Sequence, residues 1–205
     1  MNDGLPEQEP PNPHEAAQRA LLHAIDDDPE IWVFGYGSLM WRPGFDYLER
    51  RQARLHGWHR SFCVYSEYYR GTREQRGLVL GLDRGGSCQG IAFRLPPNEA
   101  HDILDYLWDR EMVTWVYEPR VVDIRLDDRR VRSRTFVANR SHYQYAGRLP
   151  DDEVVSMIRR GVGITGSNLE YLQNTVTHLD SLGIGDGPLH KLLKVVGETG
   201  QPQRE

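Results

Sequence analysis

A run of apolar residues, Ile31 to Phe34, leads straight into Gly35-Tyr36-Gly37-Ser38-Leu39-Met40-Trp41, and this junction constrains the fold more than any other stretch. A short apolar run closed by glycine reads as a buried strand. Glycine at two alternate positions lets the following backbone bend tightly and brings its amides close to a ligand. Successive N–H groups facing one way form a concave nest that holds a carboxylate or phosphate without a cationic side chain. An ordinary tight turn after a core strand has the same pattern, because Gly-x-Gly alone has low specificity. The named glycine motifs are excluded. Met40 stands where a dinucleotide fingerprint needs its third glycine, and no Gly-Lys-Ser/Thr follows to make a P-loop. Ser38 is not a nucleophile elbow, which needs glycine two residues to either side, where this chain has Tyr36 and Met40. What remains is a small-anion cradle, better suited to a carboxylate than to a nucleotide.

Around this junction the chain divides in order. Residues 1–13, with Pro6, Pro10, Pro11 and Pro13 among polar and acidic neighbours, read as a disordered tail. His14 to Ile25 reads as a short amphipathic helix. Arg54 to Tyr65 reads as a strand, and Ser66 to Arg76 as a loop. Gly77 to Asp83 and Cys88 to Leu95, separated by Arg84-Gly85-Gly86-Ser87, read as a β-hairpin. Asn98 is the expected cap of a helix over Glu99 to Met112. Tyr117 to Leu126 and Val131 to Ala138 pair around a polar turn. Past Pro150 come three helices, Asp151 to Arg160, Ser167 to Leu182 and Gly187 to Val196, the second opened by a Ser167/Glu170 capping box. Strands early, one helix inserted and helices late give an α+β chain with a closed or strongly curved sheet, not alternating βαβ units. One domain is expected over residues 14–197, with a flexible C-terminus at 198–205.

The inserted helix carries the most informative residue. Leu104, Leu107, Trp108 and Glu111 fall at i, i+3, i+4 and i+7, so a carboxylate occupies the stripe that should face the core. Such a group either takes a raised pKa or meets a charge in a cleft. A plain ion pair with Arg110 or Arg120 is the competing explanation. Asp102 and Asp105 lie near the helix N-terminus, where the macrodipole accounts for them.

Composition excludes several partners. At 205 residues with a net charge of −5, the chain lacks the basic face that nucleic acid or an anionic membrane requires. No stretch approaches the roughly 20 apolar residues of a membrane span, and the N-terminus does not resemble a signal peptide. Cys63 and Cys88 sit in apolar segments and read as buried free thiols of a cytoplasmic protein. His56, His59 and His142 have no identifiable partner and read as structural. No metal-ligand cluster and no nucleophilic triad is recognisable.

Several ordered motifs together resemble one family. Val33-Phe34-Gly35-Tyr36-Gly37-Ser38-Leu39, Tyr69-Arg70-Gly71-Thr72, Gly77-Leu78-Val79-Leu80-Gly81-Leu82-Asp83, Gly90-Ile91-Ala92-Phe93, Tyr106-Leu107-Trp108-Asp109-Arg110-Glu111-Met112 and Gly166-Ser167-Asn168-Leu169-Glu170-Tyr171-Leu172 are similar to the ChaC-type gamma-glutamylcyclotransferases, which break down glutathione. The resemblance spans roughly Ile31 to Val196. It implies the gamma-glutamylcyclotransferase-like fold, a small distorted β-barrel packed by helices, with Glu111 as the catalytic residue. It also implies a substrate-binding segment formed by Val33, Phe34, Gly35, Tyr36, Gly37, Ser38 and Leu39, and a pocket tyrosine at Tyr143. Tyr145, two residues on, is the alternative under strand-like alternation. Where some relatives carry two glycines after the glutamate, this chain has Met112-Val113-Thr114-Trp115, which bears on substrate preference.

The reaction that this resemblance implies needs little from the protein, neither a metal nor a cofactor. The α-amine of a gamma-glutamyl group reaches its own γ-carbonyl, closes 5-oxoproline and expels the attached amine, cysteinylglycine in the case of glutathione. Glu111 would handle the protons. The turn amides would hold either the α-carboxylate or the oxyanion. A cyclotransferase for other gamma-glutamyl amines or dipeptides, and a non-catalytic regulatory binding protein, are the competing functions. The expected partner is the small-molecule substrate alone, and the chain is expected to be a monomer.

Overall fold

The computed structural model describes residues 13–25 and 28–198. The tail expected over residues 1–13 lies outside them apart from Pro13, and the expected C-terminus 198–205 lies outside them apart from Glu198. Helix α1 (Pro13–His23) precedes strand β1 (Trp32–Gly35), which is buried along its whole length. The apolar run exists because β1 serves two cores. Trp32 and Phe34 point into the main core, and Val33 points into a second one that also holds Leu104, Leu107 and Trp108. Alternation along a strand sends neighbours to opposite faces. Each such large side chain contributes roughly 1.5–3 kcal/mol on full burial.

β1 pairs antiparallel with β3 (Gly77–Arg94), placing Phe34 opposite Ala92. β3 pairs along its length with β2 (Glu49–Ser66), β2 with β4 (Tyr117–Arg125), and β4 with β5 (Arg130–Ala138). A parallel pairing of Val33 with Arg134 closes the barrel in the order β1-β3-β2-β4-β5. The fold is therefore α+β with a closed five-stranded barrel packed by helices, as the sequence indicates.

The expected hairpin over Gly77 to Leu95 is absent. That segment is one continuous strand of 18 residues, and both halves find their partner on β2, itself 18 residues long. Trp58 pairs with Arg84 and His56 with Ser87, so Gly57 faces both Gly85 and Gly86, which makes a bulge. All three glycines have positive φ, at 81°, 101° and 67°. The residues that favour a tight turn also favour a bulge, and a long partner strand decided between them.

Helix α2 (Ala100–Glu111) covers the second core with Ile103, Leu104, Leu107 and Trp108. Asn98 does not cap it, since the capping position is Glu99 and no side chain bonds there. After β5 come α3 (Asp151–Arg160), the short pair β6 (Val162–Gly163) and β7 (Gly166–Ser167), α4 (Asn168–Ser181) and α5 (Gly187–Glu198). Helix α3 opens with Asp151, Asp152 and Glu153 and closes with Arg159 and Arg160, both complementary to its dipole. Ser167 caps α4 by accepting from the Glu170 amide at 3.1 Å. Val155, Ile158, Leu172, Val176, Leu179 and Leu189 join these helices to the main core.

Candidate active site

Glu111 ends α2 with its side chain 19% exposed. It borders a cavity of about 70 Å³ with Phe34, Tyr36, Gly37, Ser38 and Leu39 from the β1 junction, Leu80 from β3, Tyr117 and Phe136 from β4 and β5, and Tyr171 from α4. That volume is well below the roughly 300–1,000 Å³ of a pocket enclosing a whole drug-sized ligand, so it accepts one end of a substrate. A wider groove of about 890 Å³ runs between β2, β3 and α5, but Glu111 does not line it. We place the site in the small cavity because the chemistry converges there.

Burial pushes the Glu111 carboxyl above the ordinary glutamate range, and the Arg110 guanidinium pulls it back. Arg110 Nε lies 3.5 Å from Glu111 Oε1. Arg120, the other partner weighed from the sequence, pairs with Glu118 at 2.6 Å. Arg110 also reaches across to the glycine turn. Its Nη1 donates to the carbonyls of Arg42 and Pro43 at 2.8 and 3.0 Å and to the Tyr106 hydroxyl at 2.9 Å, and its Nη2 donates to Ser38 Oγ at 3.0 Å.

The turn itself is a 3₁₀ helix, Ser38–Met40, held by Met40 N donating to Gly37 O and Trp41 N to Ser38 O. The first amides of such a turn have no acceptor within it. Gly35 allows it to fold back on β1, since a Cβ there would stand 2.9 Å from Leu39 Cβ. Of the expected binding segment, Phe34, Tyr36, Gly37, Ser38 and Leu39 border the cavity. Val33 and Gly35 do not, being strand residues paired with Phe93 and Ile91, and Val33 faces the second core. The Tyr36 carbonyl accepts from Arg60 Nε; Arg60 also donates to Gln89 O at 2.7 Å and pairs with Asp186 at 2.6 Å, its side chain 1% exposed.

Tyr143 is displaced from the expected site. It is 67% exposed, its ring tilted against His142, and it does not border the cavity. Tyr145 is no substitute, because its hydroxyl donates to Asp83 Oδ2 at 2.8 Å. Alternation fails here because β5 ends at Ala138 and the chain enters turns, with His142 N bonded to Asn139 O and Tyr145 N to His142 O. Tyr36, Tyr117 and Tyr171 supply the pocket tyrosines instead. The Tyr117 hydroxyl donates to Leu80 O at 2.7 Å. Burial raises Tyr36 and Tyr117 well above the usual phenol value and Tyr171 to about 12, so all three stay protonated at neutral pH.

The chain is similar to known proteins over most of its length. Residues 31–199 match the family model described as ChaC-like protein. The chain belongs to the ChaC-like family. A glutathione-specific gamma-glutamylcyclotransferase of Escherichia coli K12 is 37% identical over 179 residues, 87% of this chain and 78% of that protein. Glutathione-specific gamma-glutamylcyclotransferase 1 of Homo sapiens is 31% identical over 169 residues, 80% of this chain and 76% of the human protein. The crystal structure of a glutathione-specific gamma-glutamyl cyclotransferase from yeast superposes with a TM-score of 0.75 at 24% identity, covering 82% of this chain and 96% of that one, a likeness of fold.

Sequence reasoning did not single out Tyr117 and Tyr171, which border the cavity, or Asn168, which anchors α4 beside it. Asn168 is fully buried at the start of α4, accepting from Leu78 N at 2.6 Å and donating to Leu78 O at 2.7 Å. It fixes α4 to β3, and so sets Tyr171, one turn on, over the cavity. The usable signal was a buried amide beside a capping serine, which has a structural meaning only once its strand partner is known.

Proposed function

We propose that this chain converts glutathione to 5-oxoproline and cysteinylglycine as a gamma-glutamylcyclotransferase, with Glu111 as the general base and acid. The observation that carries the site assignment is the half-buried Glu111 carboxylate facing a cavity walled by the Tyr36–Leu39 turn. The nucleophile is the substrate's own α-amine, so the protein's tasks are to fold the gamma-glutamyl group, move protons and meet negative charge. Holding amine against carbonyl is worth up to about 7–11 kcal/mol of the barrier. The ammonium group loses one proton to solvent through Glu111, the neutral amine adds to the γ-carbonyl carbon as the carbonyl electron pair moves onto oxygen, and Glu111 takes the second proton from the nitrogen so bonded. When that carbonyl reforms, the bond to cysteinylglycine breaks and Glu111 returns a proton to the departing nitrogen. A carboxyl raised by burial is a stronger base than a solvated one, and bases with pKa nearer the working pH are the more effective.

The cavity admits the gamma-glutamyl end, and the remainder of the tripeptide lies over its mouth. The name borne by the Escherichia coli and human relatives supports glutathione as that substrate. Incubation with glutathione, followed by detection of 5-oxoproline and cysteinylglycine in equal amounts, tests this reading. Release of free glutamate would mean hydrolysis, and no product at all would leave a binding protein.

A further inference from the structure

Tyr36 presents a hydroxyl that the fold does not use. The residue is 8% exposed and borders the same cavity as Glu111. Tyr117 spends its proton on Leu80 O, whereas the Tyr36 hydroxyl makes no hydrogen bond to any described residue. The hydroxyl thus stands uncommitted at the wall of the cavity, free to donate to whatever occupies it. Its position is fixed from behind, because Arg60, itself buried and paired with Asp186, donates to the Tyr36 carbonyl.

We propose that the Tyr36 hydroxyl is a catalytic hydrogen-bond donor to the γ-carbonyl oxygen as it becomes an oxyanion. This assignment rests on the cyclisation reading above. Two negative groups of the substrate need separate sites. The α-carboxylate is charged throughout and suits an array of backbone amides such as the turn after β1 supplies. The γ-oxygen acquires charge only as the amine adds to the carbon. An uncharged donor beside a carboxylate suits that transient charge, because it adds little binding before the charge develops and much once it has. Tyr36 meets this requirement: burial, and then the negative charge of Glu111, hold its phenol well above the usual value, so it donates and does not ionise. The proton stays on Tyr36 throughout the step, and Glu111 alone carries the amine's proton to the leaving nitrogen.

Tyr36→Phe keeps the ring and removes the donor. With glutathione, kcat is expected to fall by about 10²–10³-fold, the usual loss for one oxyanion donor, with KM little changed. The variant is expected to melt no lower than the wild type, which separates this role from a structural one. If the wild type is active and Tyr36→Phe keeps kcat within about tenfold of it, the assignment fails and the cyclotransferase reading stands. A loss confined to KM also overturns it, since that would place the hydroxyl on the ground state. A wild type inactive on glutathione overturns both readings.

Discussion

Arg110 Nε lies 3.5 Å from Glu111 Oε1, while its two Nη atoms bind the far wall of the site at Ser38 Oγ, Arg42 O and Pro43 O. Consecutive residues at the end of α2 thus divide the work: one offers the carboxylate, and the other fastens the turn that the carboxylate faces.

Replacing Glu111 with Gln keeps the shape and removes the proposed base. Turnover is expected to fall by at least about 10²-fold, with substrate still bound. The stability effect has a definite sign. A carboxyl whose folded pKa is raised stabilises the fold below its unfolded pKa and loses that contribution as pH rises through the folded value. Glu111→Gln should therefore gain relative to wild type as pH climbs from the ordinary glutamate range toward neutrality. Denaturant titrations across that window, with activity assays, check both parts.

Arg110→Met removes the cation that holds the Glu111 pKa down. The acidic limb of the kcat/KM profile, which reports the free enzyme's base, is expected to move to higher pH. Arg110→Lys restores the charge without the planar fork. It should return the limb toward its wild-type position while leaving kcat depressed. An unmoved limb in both variants would detach Arg110 from the carboxylate.

The two glycines of the junction should separate binding from folding. A Cβ at Gly37 meets no protein atom within 4 Å, whereas one at Gly35 stands 2.9 Å from Leu39 Cβ. Gly37→Val is expected to lower kcat/KM by about tenfold or more, which is ~1.4 kcal/mol of transition-state binding, with its melting temperature little changed. Gly35→Ala should lower the melting temperature. The reverse ranking would return the turn to a purely structural role.

Asn168→Ala strips both partners from the Leu78 peptide at once. An expected cost of about 1–3 kcal/mol per unsatisfied buried group should appear as a clear fall in melting temperature, at roughly 2–4 °C per kcal/mol for a chain of this size. Differential scanning calorimetry measures it directly.

Reduced glutathione should be processed much faster than the oxidised form. Both carry the reacting atoms, but the disulfide doubles what must lie outside a cavity of about 70 Å³. Equal rates of 5-oxoproline release would mean that only the glutamyl end is read.

Local periodicity carried part of this site into view. Glu111 was legible because its spacing from Leu104, Leu107 and Trp108 places it on a buried stripe, and the junction at Gly35 was legible because an apolar run ends there. Features that depend on a distant partner were not. Arg84-Gly85-Gly86-Ser87 has the chemistry of a turn, and only the length of β2 makes it a bulge. Arg60 is one arginine among many until Tyr36 O and Asp186 are seen around it. Tyr171 lies one residue away from Leu172 on a helix whose apolar stripe draws attention elsewhere. Tyr143 was expected from the family resemblance alone; it lies beyond Ala138, where β5 stops, so neither it nor its alternative Tyr145 is placed by strand alternation.

The reach of Arg110 from α2 to the turn has a mechanical consequence. If α2 shifts against the barrel as the site admits or releases a ligand, the same side chain drags Ser38 and the Arg42-Pro43 backbone along with the helix end. The gap between the Glu111 carboxylate and the turn that it faces is then set by one arginine's span and not by the packing of a helix on a sheet. Such a site tolerates breathing of the fold while keeping the proton's path short.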